Sequence, residues 1–515
     1  MLKKISFKLL VITLLITSIT SCSKKADYVN AIPSDTQGLI SFNLKTLFSK
    51  SGLNNKDNEA SKEKVLSALK SEMSEATYLQ LEKIFKDPKA AGLDLSSEIY
   101  IFSLPKYDIP VLLAKTGDQD KLQNTLETFI KEDPSLTINK ESNFNYIKLS
   151  ENLFAYNETT ALFVLNIKGG NTEEVKTQIA EMLKFDDQKS IKRQVAYQKM
   201  VKKEGDIHFL VNINKELFQS LSRYMPGLMA SNSIKDASQL GSISFENGKI
   251  VINSEYYTED KEALKEMQKQ LEMIKTTKNI FTKYFPDSTL MFINTNIDGS
   301  KLCTYLKENK EIQKNIPLKE NPELEKAFKT FSGDFSVALT TVGLDQMPVF
   351  LGYAEVKDGQ LLADLYTKLN QKKANKYESF TKIGEDKYLY KSGKMSIFAG
   401  VEDHKMYITN SESAYQEIFK KKDQSIEDAP YFSQMKNSIF SMSLNIKSVL
   451  NLPMVKMLVG FGGEEYQMYY NLCSKMNYIT ITSNKTESET ILAFEDQKTN
   501  ALKQIVDFSK TFVGM

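Results

Sequence analysis

Pro33-Ser34-Asp35-Thr36, followed by Gly38-Leu39-Ile40-Ser41-Phe42-Asn43, is the stretch from which the fold is read, because it occurs twice. It returns as Pro286-Asp287-Ser288-Thr289, and the apolar run after that turn reaches a second asparagine, Asn296. A proline turn leading into a β-branched and aromatic run marks a strand start. Finding one twice directs attention to internal repetition, which outranks other signals in a sequence.

Outward from both copies the order of elements is the same. Pro110-Val111-Leu112-Leu113 returns as Pro348-Val349-Phe350-Leu351. The helical stripe that follows, Leu122, Leu126, Phe129 and Ile130, has its counterpart in Leu362, Leu365, Tyr366 and Leu369. Asn152-Leu153-Phe154-Ala155 returns as Ser396-Ile397-Phe398-Ala399, Phe163-Val164 as Tyr407-Ile408, and Asn166 as Asn410. The strand running to Asn214 returns as Phe440 to Asn445. A hairpin turning at Asn247-Gly248, a type I′ signal, returns as Met476 to Thr482 and Ser488 to Phe494. The expectation is a tandem duplication, residues 31–277 and 278–515, with its seam near Thr276 to Asn279. Strands arrive in hairpin-like pairs with helices between them. Each half is therefore expected to be α+β, a largely antiparallel sheet with helices packed on one face.

The amino terminus carries a different signal. Lys3, Lys4 and Lys8 precede Leu9 to Ile16, in which only Thr13 is polar. That is a basic segment before an apolar core of signal-peptide length. A bilayer span needs ~20 apolar residues, more than this run supplies. Ile19-Thr20-Ser21-Cys22 closes it in the form of a lipobox. A thiol accepts the diacylglyceryl group, and the small residues before it give a peptidase access to the bond. Residues 1–21 are read as a lipoprotein signal peptide, Cys22 as the lipid attachment site, and residues 22–30 as a short tether. The competing reading is an ordinary secretory signal that ends at a chance cysteine.

Composition narrows the function classes. The chain has 515 residues, 41% hydrophobic and 26% charged, which are globular values. Lys and Arg total 67 against 65 for Asp and Glu; removing Lys3, Lys4 and Lys8 leaves 64 against 65. That balance gives no electrostatic footprint for a nucleic-acid partner. There is no Trp, so indole-based sugar stacking is excluded, and there are only two His, His208 and His404. Cys303 and Cys473, the cysteines besides Cys22, read as free thiols.

Candidate chemistry is sparse. His208 lies among Ile207, Phe209, Leu210 and Val211 and reads as a histidine hydrogen-bonded within a sheet. His404, in Glu402-Asp403-His404-Lys405, reads as a solvated hairpin turn. Asp118 and Asp120 lack the remaining ligands of a calcium loop and suit the first turn of a helix. Gly460-Phe461-Gly462-Gly463 lacks the Lys-Ser/Thr of a phosphate cradle and reads as a turn. No cofactor or metal motif is present. One feature stands out: each half carries a Met-bearing apolar segment after its late strand. The first holds Tyr224, Met225 and Met229; the second holds Met454 and Met457, with Tyr469-Tyr470 beyond. Met suits adaptable apolar contact surfaces. These five residues, Tyr224, Met225, Met229, Met454 and Met457, are the candidate surface for a partner or apolar ligand, against the plain alternative that they cap the core.

The lipobox, Ile32-Pro33-x-Asp35 before a strand, Ser51-Gly52-Leu53 and Gly92-Leu93-Asp94-Leu95 together resemble a family of uncharacterised Bacteroidota envelope lipoproteins that carry a domain of unknown function. The resemblance implies attachment to the outer membrane through lipid. Ser23-Lys24-Lys25-Ala26-Asp27 lacks the acidic run of surface-exported relatives, which implies the periplasmic face. It implies no catalytic residues. The expected function is a non-catalytic, lipid-anchored envelope module that binds or scaffolds an envelope protein. A hydrolase with an unrecognised carboxylate site and a carrier of apolar ligands are the alternatives.

Overall fold

The computed structural model describes residues 27–53, 74–105, 109–165, 167, 172–213, 237–309, 322–342, 347–371 and 378–513. Cys22 and the segment before it, Asn166, and Tyr224, Met225 and Met229 lie outside the described residues. Packing divides the chain into two units: residues 1–214, 238–247 and 498–515, and residues 215–237 and 248–497. The chain leaves the first unit at Asn247 and returns to it at Lys498.

In the first unit the strands are β1 (Gly38–Phe42), β2 (Ile99–Leu104), β3 (Ile109–Lys115), β4 (Asn139–Lys140), β5 (Asn145–Leu149), β6 (Asn152–Tyr156), β7 (Thr160–Val164), β8 (Ile207–Ile213) and β9 (Ala237–Glu246). Antiparallel pairing orders them β8-β1-β2-β3-β7-β6-β5-β4. The helix Gln119–Ile130 begins where the Asp118 side chain accepts the Lys121 N–H at 3.0 Å. Its Leu122 and Leu126 pack with Leu95, Ile99, Ile147 and Tyr156. Gly92 sits beneath it with φ of 85°, where a Cβ would lie 2.2 Å from the Leu122 nitrogen. Only a residue without a side chain allows that approach.

The second unit holds β10 (Lys249–Thr258), β11 (Ile274–Lys275), β12 (Met291–Asp298), β13 (Phe331–Thr341), β14 (Val349–Val356), β15 (Glu378–Gly384), β16 (Lys387–Ser392), β17 (Met395–Glu402), β18 (Lys405–Thr409), β19 (Phe440–Asn445), β20 (Met476–Asn484) and β21 (Glu487–Phe494). Its antiparallel order is β10-β21-β20-β19-β12-β13-β14-β18-β17-β16-β15. The core on one face is aromatic: Phe285 meets Phe292 and Tyr353 edge-on, with Tyr431 and Tyr478 beside them. Ring pairs in these geometries add stabilisation beyond area burial.

Corresponding registers recur in the two sheets. Ser41 on β1 lies opposite Tyr100 on β2 and His208 on β8. Asn294 on β12 lies opposite Ser336 on β13 and Ser441 on β19. The two proline turns are held alike, by bridges Pro33–Ser190 and Pro286–Ser425. One equivalence differs. Asn43 caps the helix after β1, accepting the Thr46 N–H, but Asn296 stays inside β12 and donates to Asp334 at 2.7 Å. Here β11 pairs with Asn296 and Ile297, so the strand continues and Asp298 becomes the cap. The Asn247-Gly248 turn also departs from type I′: Gly248 is left-handed, but Asn247 is held in a bridge to Asn500.

Candidate functional site

The site is built on the connection between β19 and β20. At the end of β19 the Asn445 side chain accepts the Ser448 N–H at 2.9 Å and starts a short helix, Ile446–Leu450. Pro453 then occupies the first turn of a second helix, Pro453–Phe461, where its missing N–H costs nothing. Gly463 takes φ of 74° and lets the chain reverse into a third helix, Gly463–Cys473, which returns to Met476.

The middle helix is apolar except for Lys456, yet it has no buried residue. Leu452, Val455 and Val459 are half-buried, which marks the inward side. Met454, Met457, Leu458 and Phe461 are 39%, 44%, 49% and 87% exposed. Those four follow i, i+3, i+4, i+7 spacing, so they form one stripe, and it faces outward. The returning helix adds exposed Tyr466 and Tyr469. A helix apolar around its circumference normally lies in a core or in lipid. This one does neither within its own unit.

The apolar character continues across a sheet row. Ile479, Leu444, Met291, Leu339 and Phe350 stand opposite one another on β20, β19, β12, β13 and β14, and each is of intermediate exposure. Leu444 precedes the helical connection directly and Ile479 follows it closely.

The family profile that matches this chain covers residues 28–502, nearly all of the described structure. The chain belongs to the DUF4836 family, a domain of unknown function. Comparison with curated proteins finds no match. Among solved structures, crystal form I of TP0453 is similar at 8% identity and a TM-score of 0.27, over 46% of this chain and 81% of that one. Crystal form III of TP0453 gives 10%, 0.28, 49% and 90%. Likeness at that level carries no argument about this DUF4836 chain.

Met454 and Met457 are brought together on the exposed stripe of the DUF4836 domain. Leu458 lies within the apolar segment read from the sequence but outside the five candidate residues, and Phe461 was expected only as part of a turn. The helical spacing from Met454 to Phe461 was the available signal. The other singled-out residues fall elsewhere. His208 is buried, donating from Nε2 to the Lys203 carbonyl at 2.9 Å, with Nδ1 3.4 Å from Ser41 Oγ. Both ring nitrogens are occupied within the first unit. His404 is exposed in a turn whose two central residues, Asp403 and His404, are left-handed, the type I′ geometry. Asp118 caps a helix, and the Lys121 backbone N–H holds its carboxyl below the ordinary range. Cys303 is buried and Cys473 half-buried, both as free thiols. Buried Asp334 accepts from the Lys278 and Ile280 N–H groups and the Asn296 amide. Among the described residues no cluster of three or more His, Cys, Asp or Glu is arranged to hold a metal. Nor is any described helix long and apolar enough to cross a membrane.

Proposed function

We propose that this DUF4836 chain is a lipid-anchored envelope protein, attached through Cys22 at the periplasmic face of the outer membrane, whose body is a non-catalytic binding module. The observation that carries the binding role is the outward stripe Met454, Met457, Leu458 and Phe461. Exposed contiguous apolar surface marks contact sites, and Met lends such surfaces adaptability. The anchor rests on the lipobox. Two or more acyl chains bind a bilayer stably where one does not. We also read the body as a tandem duplication; the matched proline turns and the Ser41 and Asn294 registers support it. In that reading Tyr224, Met225 and Met229 are the first repeat's counterpart of the exposed segment.

The test is a photo-crosslinking residue at Met457, introduced into the full chain and activated in the native envelope. A specific adduct is expected there and not from the same residue at Val201. An envelope in which position 457 yields no adduct removes the contact role.

A second reading, carriage of apolar ligands, is favoured by the half-exposed row Ile479, Leu444, Met291, Leu339 and Phe350. It requires an extractable lipid co-purifying with the delipidated chain; extraction yielding none beyond the covalent acyl groups excludes it.

A further inference from the structure

From the geometry of the Pro453–Cys473 helical hairpin we infer that the component it contacts is the bilayer surface itself: its tip seats among lipid headgroups and upper acyl chains and sets the orientation of the body on the membrane. This rests on the contact role proposed for the same stripe. Three observations favour lipid over a protein groove. The first is the direction of the apolar stripe. Met454, Met457, Leu458 and Phe461 point outward while the inward side, Leu452, Val455 and Val459, is apolar too, so the helix offers an apolar surface on both sides. The second is the tip. Phe461 is its most exposed residue, and a Cβ at Gly460 or Gly463 would meet nothing within 4 Å. The end of the hairpin is therefore open at those two positions, while Gly462 packs against the Tyr466 ring of the hairpin itself. The third is the distribution of polar groups. Tyr466 and Tyr469 are exposed on the returning helix, and rings with a polar end favour the membrane interface. Exposed Lys456 and Lys475 match anionic headgroups, while Lys447 at the base is paired with Glu495 at 3.4 Å. Across residues 446–475 the sequence holds three lysines and two glutamates, and one of those lysines, Lys447, is paired with Glu495.

The hairpin is too short to span a bilayer and has the features of an interfacial element. Its part differs from that of the anchor. Acyl chains on Cys22 would hold the chain to the membrane, whereas the hairpin contact would orient the second unit, to which it belongs.

The chain contains no Trp, so Phe461→Trp introduces a sole indole reporter at the tip. The full chain carrying Phe461→Trp is purified from the envelope and reconstituted into vesicles of phosphatidylethanolamine and phosphatidylglycerol. Half of the preparations carry bromine on the upper acyl chain. The expected result is a blue-shifted emission in vesicles and quenching by shallow bromine of at least about twofold. A Val201→Trp chain, whose reporter is exposed on the first unit, stays water-like and unquenched. Adding Met457→Asp to Phe461→Trp is expected to abolish most of the quenching while circular dichroism stays unchanged. Water-like, unquenched emission at position 461 overturns the bilayer assignment. If position 457 still crosslinks a protein in the native envelope, the contact role survives without the bilayer; if it does not, both fall. A blue shift without lipid that grows with protein concentration assigns the stripe to a second copy and likewise overturns it.

Discussion

Lys50 and Asp206 form an ion pair at 2.7 Å in the first unit, with the Asp206 side chain 2% exposed. The same carboxylate oxygen accepts the Phe245 N–H at 2.7 Å, so one buried acid ties the helix Leu44–Ser51 to β9 just ahead of β8. Asp206→Ala leaves the Phe245 N–H unpartnered and is expected to cost about 2–4 kcal/mol, below the full loss of a buried pair because Lys50 keeps part of its surface in water. The denaturant midpoint of the variant checks this; an unchanged midpoint would show that the tie contributes nothing.

Asp94 gives the acid limb of stability. Burial opposes its ionisation, but hydrogen bonds from Lys115 and Ser96 prevail and hold its carboxyl below the ordinary value. A depressed folded value means the contribution is present above the unfolded value of about 3.9 and is lost as pH falls through the folded one. Stability measured by urea unfolding should drop on acidification below about pH 4, with a shallower drop in Asp94→Asn.

Tyrosine governs the alkaline side. Burial pushes Tyr197 up to about 12, reinforced by nearby Glu98 and Asp27 and opposed by its hydrogen bond with Tyr100. Tyr256 is likewise pushed to about 12 by burial. With folded values above the unfolded one of about 10, this stability is present below pH 10 and is lost as pH rises towards 12. Ultraviolet titration of tyrosinate should show these rings ionising late, together with loss of the fold. Early ionisation in the folded chain would contradict it.

Gly92 and Gly38 make a contrasting pair. Gly92→Ala must place a methyl against the Leu122 backbone at a left-handed φ, and is expected to destabilise by about 2 kcal/mol or more. A Cβ at Gly38 meets nothing within 4 Å, so Gly38→Ala should fold normally. Thermal unfolding of both variants separates them.

At the anchor, Cys22→Ala should leave the fold intact and release the protein from the membrane fraction. Retention there would show that the lipobox reading is wrong or that the body holds on unaided. In the first apolar segment, Met225→Asp with Met229→Asp should abolish partner binding in a chain that still folds. A chain that cannot fold would mark these methionines as core.

Local patterns were legible where they have local causes. Asp118 before the Leu122 and Leu126 stripe announced a capped helix, and runs of strand formers announced β1, β8 and β19. His208 was legible as a sheet histidine because its neighbours are strand formers. Asn296 misled because its likeness to Asn43 is one of sequence, while its place in β12 depends on pairing with β11. Phe461 was read within a glycine turn, and nothing local says whether such a turn is covered.

By itself the sequence determined the α+β class, the capped helix after Asp118, the repeated proline turns and the scarcity of His and Cys, since each follows from periodicity, turn chemistry or composition. Only the tertiary structure decided that Asp206 is buried and doubly bonded, that the packing units exchange at Asn247 and Lys498, and that the stripe from Met454 to Phe461 faces outward. The reason is physical: helical spacing makes a stripe whichever way the helix turns. Which side is covered depends on segments far apart in the chain.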